Sequence, residues 1–279
     1  MNSNQESTHI PVVLVRGGGD LASGVVSRLH RIGINVVITE LEKPLAVRRL
    51  VSFSEAVYDE MVTVEHITAH CAVQPNDCIQ IIKNGDIPVI VDPNCDIRTL
   101  PELNVISIVD ARMRKAKPEI NLETESFVIG LGPGFSAGVN CGVVIETNRG
   151  HYLGRVIWSG SAETDTGIPG NIGQREIERV IRSPTDGRIL TKSEIGNVVE
   201  KDTTIAVVDG FPVSAPFTGQ LRGLLRSGVR VYEGMKIGDL DPRDDPKLAH
   251  CISGKSLAIA GGVLEALLSQ PYIRSQLWN

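Results

Sequence analysis

The chemistry in this chain is most readable at Gly17-Gly18-Gly19-Asp20-Leu21-Ala22, which follows the apolar run Val12–Val15 and opens a helically spaced segment. The pattern is G-x-G-x-x-A, a phosphate-binding turn. Gly17 permits the tight turn, Gly19 lets a pyrophosphate approach the backbone, Ala22 lets helix press on sheet, and Gly17, Gly18 and Gly19 together are expected to take the phosphate. The N–H groups and positive dipole end of that helix favour an anion. Glu40 ends the next strand, 18 residues after Ala22, where an acid accepts from ribose hydroxyls. Asp20 argues the other way, because a carboxylate in the loop repels phosphate. It is also a candidate helix cap.

A second glycine loop, Gly130-Leu131-Gly132-Pro133-Gly134-Phe135, also follows a strand pattern. Its successive N–H groups fit either an anion nest, with Gly132 and Gly134 lining a second side of the site, or a tight structural turn. Pro133 removes one donor. The polar loop Gly160–Gly170 carries Glu163 and Asp165 as candidate acid/base groups and Thr166 as a polar contact; the alternative is a solvated loop. Cys95 and Cys141 lie beside the glycine motifs, as a nucleophile, a sulfur carrier or inert thiols. His66 and His70, near Cys71 and Cys78, would share a helix face, but nothing supplies the third ligand of a catalytic zinc, so no metal is expected. Ser253-Gly254-Lys255-Ser256 imitates the end of a P-loop. Ala249 stands where the first glycine is required, so the match is rejected.

These residues need elements to position them. Val12–Val15, Asn35–Thr39, Val62–Val64, Pro88–Val91 and Val105–Val109 are short apolar runs alternating with helical or loop segments, the pattern of a parallel α/β sheet. Residues 114–125 are charged, contain Pro118 and read as a linker. A β-rich stretch follows, with a hairpin turning at Asn148-Arg149-Gly150. From 183 to 240 the chain repeats itself at a shift of 32: Pro184 falls on Pro216, Gly187 on Gly219, Ile189 on Leu221, Gly196 on Gly228, Val199 on Val231 and Ile205 on Ile237. Two such halves imply a pseudo-twofold sandwich in which each buries the other's apolar face. Ser256–Leu268 is a helix whose Gly261-Gly262 point to close packing on another backbone.

The chain has 279 residues, about two domains' worth. With 42% hydrophobic residues and 22% charged it is not disordered. The net charge of −5 leaves no overall footprint for nucleic acid, and 4% aromatics give no stacking platform. No apolar run reaches the ~18–20 residues that span a bilayer, and Met1–His9 lacks a secretory pattern. Five widely spaced cysteines without a Cys-x-x-Cys pair fit a reducing, cytoplasmic setting.

The Gly17–Glu40 unit, the run Arg48–Asp59, Gly130–Phe135 and Ile145–His151 together resemble the YqeB family of selenium-dependent molybdenum hydroxylase system proteins, over about residues 11–270. Ser253-Gly254-Lys255 departs from the Ser-Asp-Lys expected there. The family is similar in role to XdhC-type accessory proteins. The resemblance implies maturation of a molybdenum hydroxylase, with the apo-enzyme as partner and a nucleotide or a dinucleotide molybdopterin-type cofactor as ligand. Whether the chain turns over a substrate, or forms a homo-oligomer, stays open. Residues 183–240 separately resemble a biotinyl/lipoyl module, without a lysine between Lys201 and Lys236 to carry the prosthetic group.

The expected fold class is therefore α/β. A Rossmann-like parallel-sheet domain spans 11–115, and a β-rich segment with Gly-rich loops spans 126–182. A duplicated barrel-sandwich module covers 183–243, and a C-terminal helical segment covers 249–279. Alternatives to the accessory role are an NAD(P)-dependent oxidoreductase and a noncatalytic scaffold that docks a hydroxylase.

Overall fold

Strand β1 (Ile10–Arg16) is the centre from which the fold is built, because Val12–Val15 are wholly inside. Val13 and Val15 point to one apolar cluster, Val12 and Leu14 to another, so both faces of the strand must be covered. Each such side chain contributes ~1.5–3 kcal/mol on burial. The computed structural model describes residues 9–113, 127–164, 177–243 and 245–277.

The first strands are β2 (Val36–Glu40), β3 (Met61–Val64), β4 (Ile67–Ala72), β5 (Ile87–Val91) and β6 (Leu103–Asp110). Then come β7 (Phe127–Leu131), β8 (Ser136–Ala137), β9 (Val143–Ile145), β10 (Val156–Ile157) and β11 (Gly160–Ser161). Nine of them form one mixed sheet in the order β10-β9-β7-β6-β1-β2-β5-β4-β3. The inner pairings are parallel, and only the edge strands β3 and β10 run antiparallel to their neighbours. β8 and β11 pair with each other alone.

The separation expected between 11–115 and 126–182 does not exist in the sheet. β7 lies parallel to β6, with Ile108 opposite Val128, and β9 follows on β7. The expected linker at 114–125 lies outside the described residues. His66 and His70 are also not on a helix. Glu65 and His66 form a turn with φ of 45° and 70° between β3 and β4, and His70 on β4 hydrogen-bonds Asp86 at 3.1 Å. The alternation of Ile67 and Ala69 inward is a strand signal that outweighs the four-residue spacing.

Helix α1 (Asp20–Arg31) buries Ala22, Val25, Val26 and Leu29 against the sheet. Asp20 is its first residue and makes no cap with its side chain, which instead pairs with Arg48 at 3.5 Å. The short α2 (Ala56–Asp59) follows. On the other face lies α3 (Pro75–Lys83), begun by a capping box between Gln74 and Asp77. Helix α4 (Gly254–Leu268) is capped by Ser253, whose Oγ accepts the Ser256 N–H at 3.1 Å, and α5 (Pro271–Leu277) ends the fold. α4 lies on α1 so closely that a Cβ on Gly24 would be 2.6 Å from that of Ser256. Gly262 meets the backbone of Gly154, as close packing requires, whereas Gly261 faces open space.

The repeat gives β13 (Gly187–Thr191), β14 (Val198–Val199), β15 (Thr204–Val208), β16 (Phe211–Ser214), β17 (Gly219–Leu224), β18 (Arg230–Val231) and β19 (Lys236–Asp241), preceded by β12 (Val180–Arg182). They form two four-stranded sheets, β12-β19-β17-β14 and β16-β15-β13-β18. The 32-residue shift carries one sheet onto the other, and β14 and β18 each lie in the sheet of the opposite half. Ile189 with Leu221, and Ile205 with Ile237, are the fully buried counterparts. The unit begins at β12, before residue 183.

The run Arg48–Asp59 ties this unit to the nine-stranded sheet. Arg49 Nε donates to Leu224 O at 2.8 Å, and Leu224 N donates to Val47 O at 2.8 Å. Arg226 pairs with buried Glu55 at 2.9 Å and with Asp59, and lies over the Tyr58 ring at 4.5 Å. Among the described residues, no helix is long and apolar enough to cross a membrane.

Candidate functional site: a cation-lined cleft

The parallel strands β1, β2 and β6 all end at one large cavity of about 990 Å³. Its floor comes from Arg16, Gly17, Gly19 and Ala22 after β1, Thr39 and Glu40 of β2, and Arg112 after β6. The rest of its lining includes Arg179 just before the duplicated unit, Arg222, Lys236 and Asp239 within it, and Ser253 and Lys255 at the start of α4. Open α/β sheets bind ligands in such a crevice, beyond the carboxyl ends of strands whose order diverges, as β2 and β6 diverge from β1.

The three glycines of the first loop serve three purposes. Gly17 has φ +91°, a backbone conformation only glycine holds without strain. Gly18 lies against Ser54, where a Cβ would be 2.8 Å from the Ser54 nitrogen. Gly19 has an ordinary extended conformation (φ −68°, ψ −177°), and nothing stands within 4 Å of where its Cβ would be. Its bare backbone faces empty cavity.

The donors are less free than the sequence suggests. Gly17 N–H bonds Thr39 O at 2.8 Å. Gly18 N–H donates to Glu40 Oε2 at 2.7 Å, and Leu41 N–H donates to Glu40 Oε1 at 2.7 Å. Glu40, expected on a ribose, thus braces the loop and takes a donor expected on phosphate. Burial raises its pKa, against the lowering effect of the Leu41 and Gly18 N–H groups. Glu40 nevertheless lines the cavity. Ala22 lies in the first turn of α1 at the cavity wall.

The second loop is filled by its own side chains. Phe135 occupies the space over Gly130, Thr147 that beside Gly132, and Asn140 accepts the Ser136 N–H at 2.8 Å while donating to Gly134 O at 3.1 Å. Gly132 N–H bonds Ile145 O at 2.9 Å. Pro133 reaches the cavity, whereas Gly132 and Gly134 do not line it. The tight turn is the reading the geometry supports.

The thiols are withdrawn from chemistry as well. Cys95 and Cys141 are buried in the apolar cluster on the α3 side of the sheet. Burial raises both, Cys141 to about 11, so neither is a ready thiolate. Glu163 does reach the cavity, where Asn148 Nδ2 donates to its carboxylate at 2.6 Å. Asp165 lies outside the described residues. Among the described residues, no group of three or more His, Cys, Asp or Glu is placed to hold a metal.

What composition concealed is the charge of the cavity. Eight cationic side chains line it, Arg16, Arg48, Arg112, Arg149, Arg179, Arg222, Lys236 and Lys255, against five acids, Asp20, Glu40, Asp92, Glu163 and Asp239. Most cations are matched. Arg112 pairs with Asp110 at 2.6 Å, and Arg48 with Asp20. Asp239 takes Arg179 at 3.1 Å and Arg222 at 2.5 Å, and Arg222 also reaches Asp241 at 3.2 Å. Arg149, Lys236 and Lys255 have no acidic partner among the described residues. Lys255 belongs to the rejected Ser-Gly-Lys-Ser motif, whose position at a helix start was its only signal. Arg149 was read as a turn residue, and Lys236 carried no motif.

Fold and cleft together define a mixed α/β protein with a duplicated β unit closing a cationic cavity over a glycine turn. No protein-family model matches the chain. It is 43% identical over 268 residues, 96% of its length, to the "Uncharacterized protein YqeB" of Escherichia coli strain K12, which supports the YqeB family likeness. The chain spans about half (49%) of that relative's length. A crystal structure of an aspartoacylase family protein from Mesorhizobium loti overlaps 82% of this chain and 84% of its own, with 8% identity and a TM-score of 0.24.

Proposed function

We propose that this protein binds a nucleotide or dinucleotide-type ligand in the cleft and acts as a cytoplasmic accessory protein in the maturation of selenium-dependent molybdenum hydroxylases. The observation that carries the binding half is the excess of cations around a bare Gly19 in a chain whose net charge is negative. The glycine turn after β1, in the parallel order β6-β1-β2-β5, supports the Rossmann-like reading. The strand exchange between repeat halves is what a barrel-sandwich module requires. The maturation half rests on the YqeB likeness and on its similarity in role to XdhC-type proteins.

A molybdopterin dinucleotide fits this donor set in chemical terms, because its pyrophosphate meets cations and its ribose hydroxyls meet Glu40. Its bound metal would supply the redox chemistry of the recipient enzyme. This chain's residues hold, orient and shield the ligand. Equilibrium binding of NAD, NADP, CTP, molybdopterin and its cytosine dinucleotide tests the reading. Gly19→Asp is the diagnostic variant, since its backbone accepts any residue and the side chain projects into the cavity. Binding by wild type and loss in Gly19→Asp is the expected result. Failure of the wild type to bind any of them, or full binding by Gly19→Asp, would overturn it.

A further inference from the structure

The geometry points to Lys255, Arg149 and Lys236 as a diphosphate-binding subsite of the cleft, distinct from the N–H groups of the glycine turn, so the ligand's phosphates lie on these cations and its hydroxyl-bearing part lies against Glu40. This deepens the proposed function and rests on the cleft being a ligand site.

The first ground is the state of the glycine turn. Gly17 and Gly18 N–H groups are already bonded, and the Glu40 carboxylate stands at the turn, holding the Gly18 N–H. A doubly charged phosphate placed there would meet it. Like charges held together at low dielectric repel strongly, so the turn suits a neutral hydroxylated group better.

The second ground is the convergence of the cations. The three cations come from three separate elements: the β9–β10 connection, the first residue of β19, and the first turn of α4. All three line the same cavity. None has an acidic partner among the described residues, whereas their neighbours Arg48, Arg179 and Arg222 all do. Like charges gathered in one cavity repel one another, and an anion that joins them relieves the repulsion. The electrostatics agree. Burial depresses the Lys255 ammonium, and Arg149 and Lys236 depress it further, against Asp20 and Glu146. Burial, Arg222 and Arg243 depress Arg149, against Asp239 and Asp20. The start of α4 adds its dipole to the same place.

A planar guanidinium and two ammonium groups suit a diphosphate, in which adjacent phosphoryl groups accept bidentate and single hydrogen bonds. A lone carboxylate would leave cations unmatched. The class is therefore a nucleoside diphosphate or dinucleotide, with inorganic pyrophosphate as the minimal probe.

Titration calorimetry of the whole chain with pyrophosphate, CDP, CTP, NAD and cytidine separates the possibilities. Lys255→Met and Arg149→Met remove charge and keep bulk, Lys255→Arg restores charge, and Lys192→Met removes an exposed charge outside the cavity. The expected result is about tenfold or greater weakening of pyrophosphate and CDP in both Met variants, recovery in Lys255→Arg, and no change in Lys192→Met. Thermal melting of each variant reports folding independently. Nucleotide binding that survives both Met variants and is lost in Gly19→Asp overturns the subsite and leaves the cleft reading standing. Lys255-dependent binding of pyrophosphate with no nucleotide binding supports the subsite and overturns the nucleotide reading. Binding of none of the probes overturns both.

Discussion

The two glycine loops stand at the ends of parallel strands in one sheet and have similar composition, yet they are opposites. The loop at Gly17–Ala22 leaves its third glycine bare before a cavity. The loop at Gly130–Phe135 spends Gly130 and Gly132 on making room for Phe135 and Thr147. Even their braces differ: a carboxylate, Glu40, holds the first, and an amide, Asn140, holds the second. A glycine motif becomes a site only where the space it leaves is not refilled by protein.

The contrast can be broken by substitution, most strongly at Phe135. Truncating this buried ring in Phe135→Ala removes the filler of the second loop and is expected to cost ~3–5 kcal/mol in denaturant unfolding while leaving ligand binding intact. Loss of binding at unchanged stability would erase the distinction.

Next comes Gly18→Ala, expected to cost ~1–3 kcal/mol because the new methyl meets the backbone of Ser54 and not a flexible chain end. Its neighbour Gly19→Ala is expected to lie within ~0.5 kcal/mol of wild type and to weaken ligand. Equal destabilisation at both positions would contradict the open geometry at Gly19.

A smaller effect separates the braces by pH. The folded pKa of Glu40 is raised by burial, so its favourable contribution is complete below the unfolded carboxyl value and is lost as pH rises through the folded value. Buried Glu55 is raised in the same way, against Arg226 and Arg49. Melting temperature should fall with pH across that window. Glu40→Gln should flatten part of the fall, whereas Asn140→Asp should add a new acid-range dependence. A curve unaffected by Glu40→Gln would deny the brace. Least costly of all is alkylation of the native protein. Exposed Cys251 should label, and buried Cys95 and Cys141 should not until denaturant is added.

The first loop was readable because its parts are adjacent: Val12–Val15, the glycines, α1 and Glu40 follow in order within a short stretch. The repeat was readable for a similar reason, since a fixed shift preserves Gly196 with Gly228 and Ile189 with Leu221 without any pairing being known. The continuation of the sheet through β7 and β9 was not readable. Parallel pairing is non-local, and the charged stretch before β7 looks like a boundary. The cation cluster was least readable of all. Arg149, Lys236 and Lys255 carry no mutual spacing, and only the packing of α4 on α1 and of the duplicated unit on Arg48–Asp59 brings them to one cavity. Glu40 is legible as an acid at the end of β2, whereas its bond to the Gly18 N–H is not, because sequence marks where an acid stands and not which N–H reaches it.

The strand exchange within the duplicated unit has a consequence for ancestry. Each half sends its short strand, β14 or β18, into the other half's sheet. A peptide carrying one half would leave that strand without a ladder, and two copies of the peptide would complete each other. Such an arrangement is the one that joining the two subunits of a twofold dimer end to end would produce. The two copies now differ at the cleft, where the second supplies Arg222, Lys236 and Asp239 and the first is entered through Arg179.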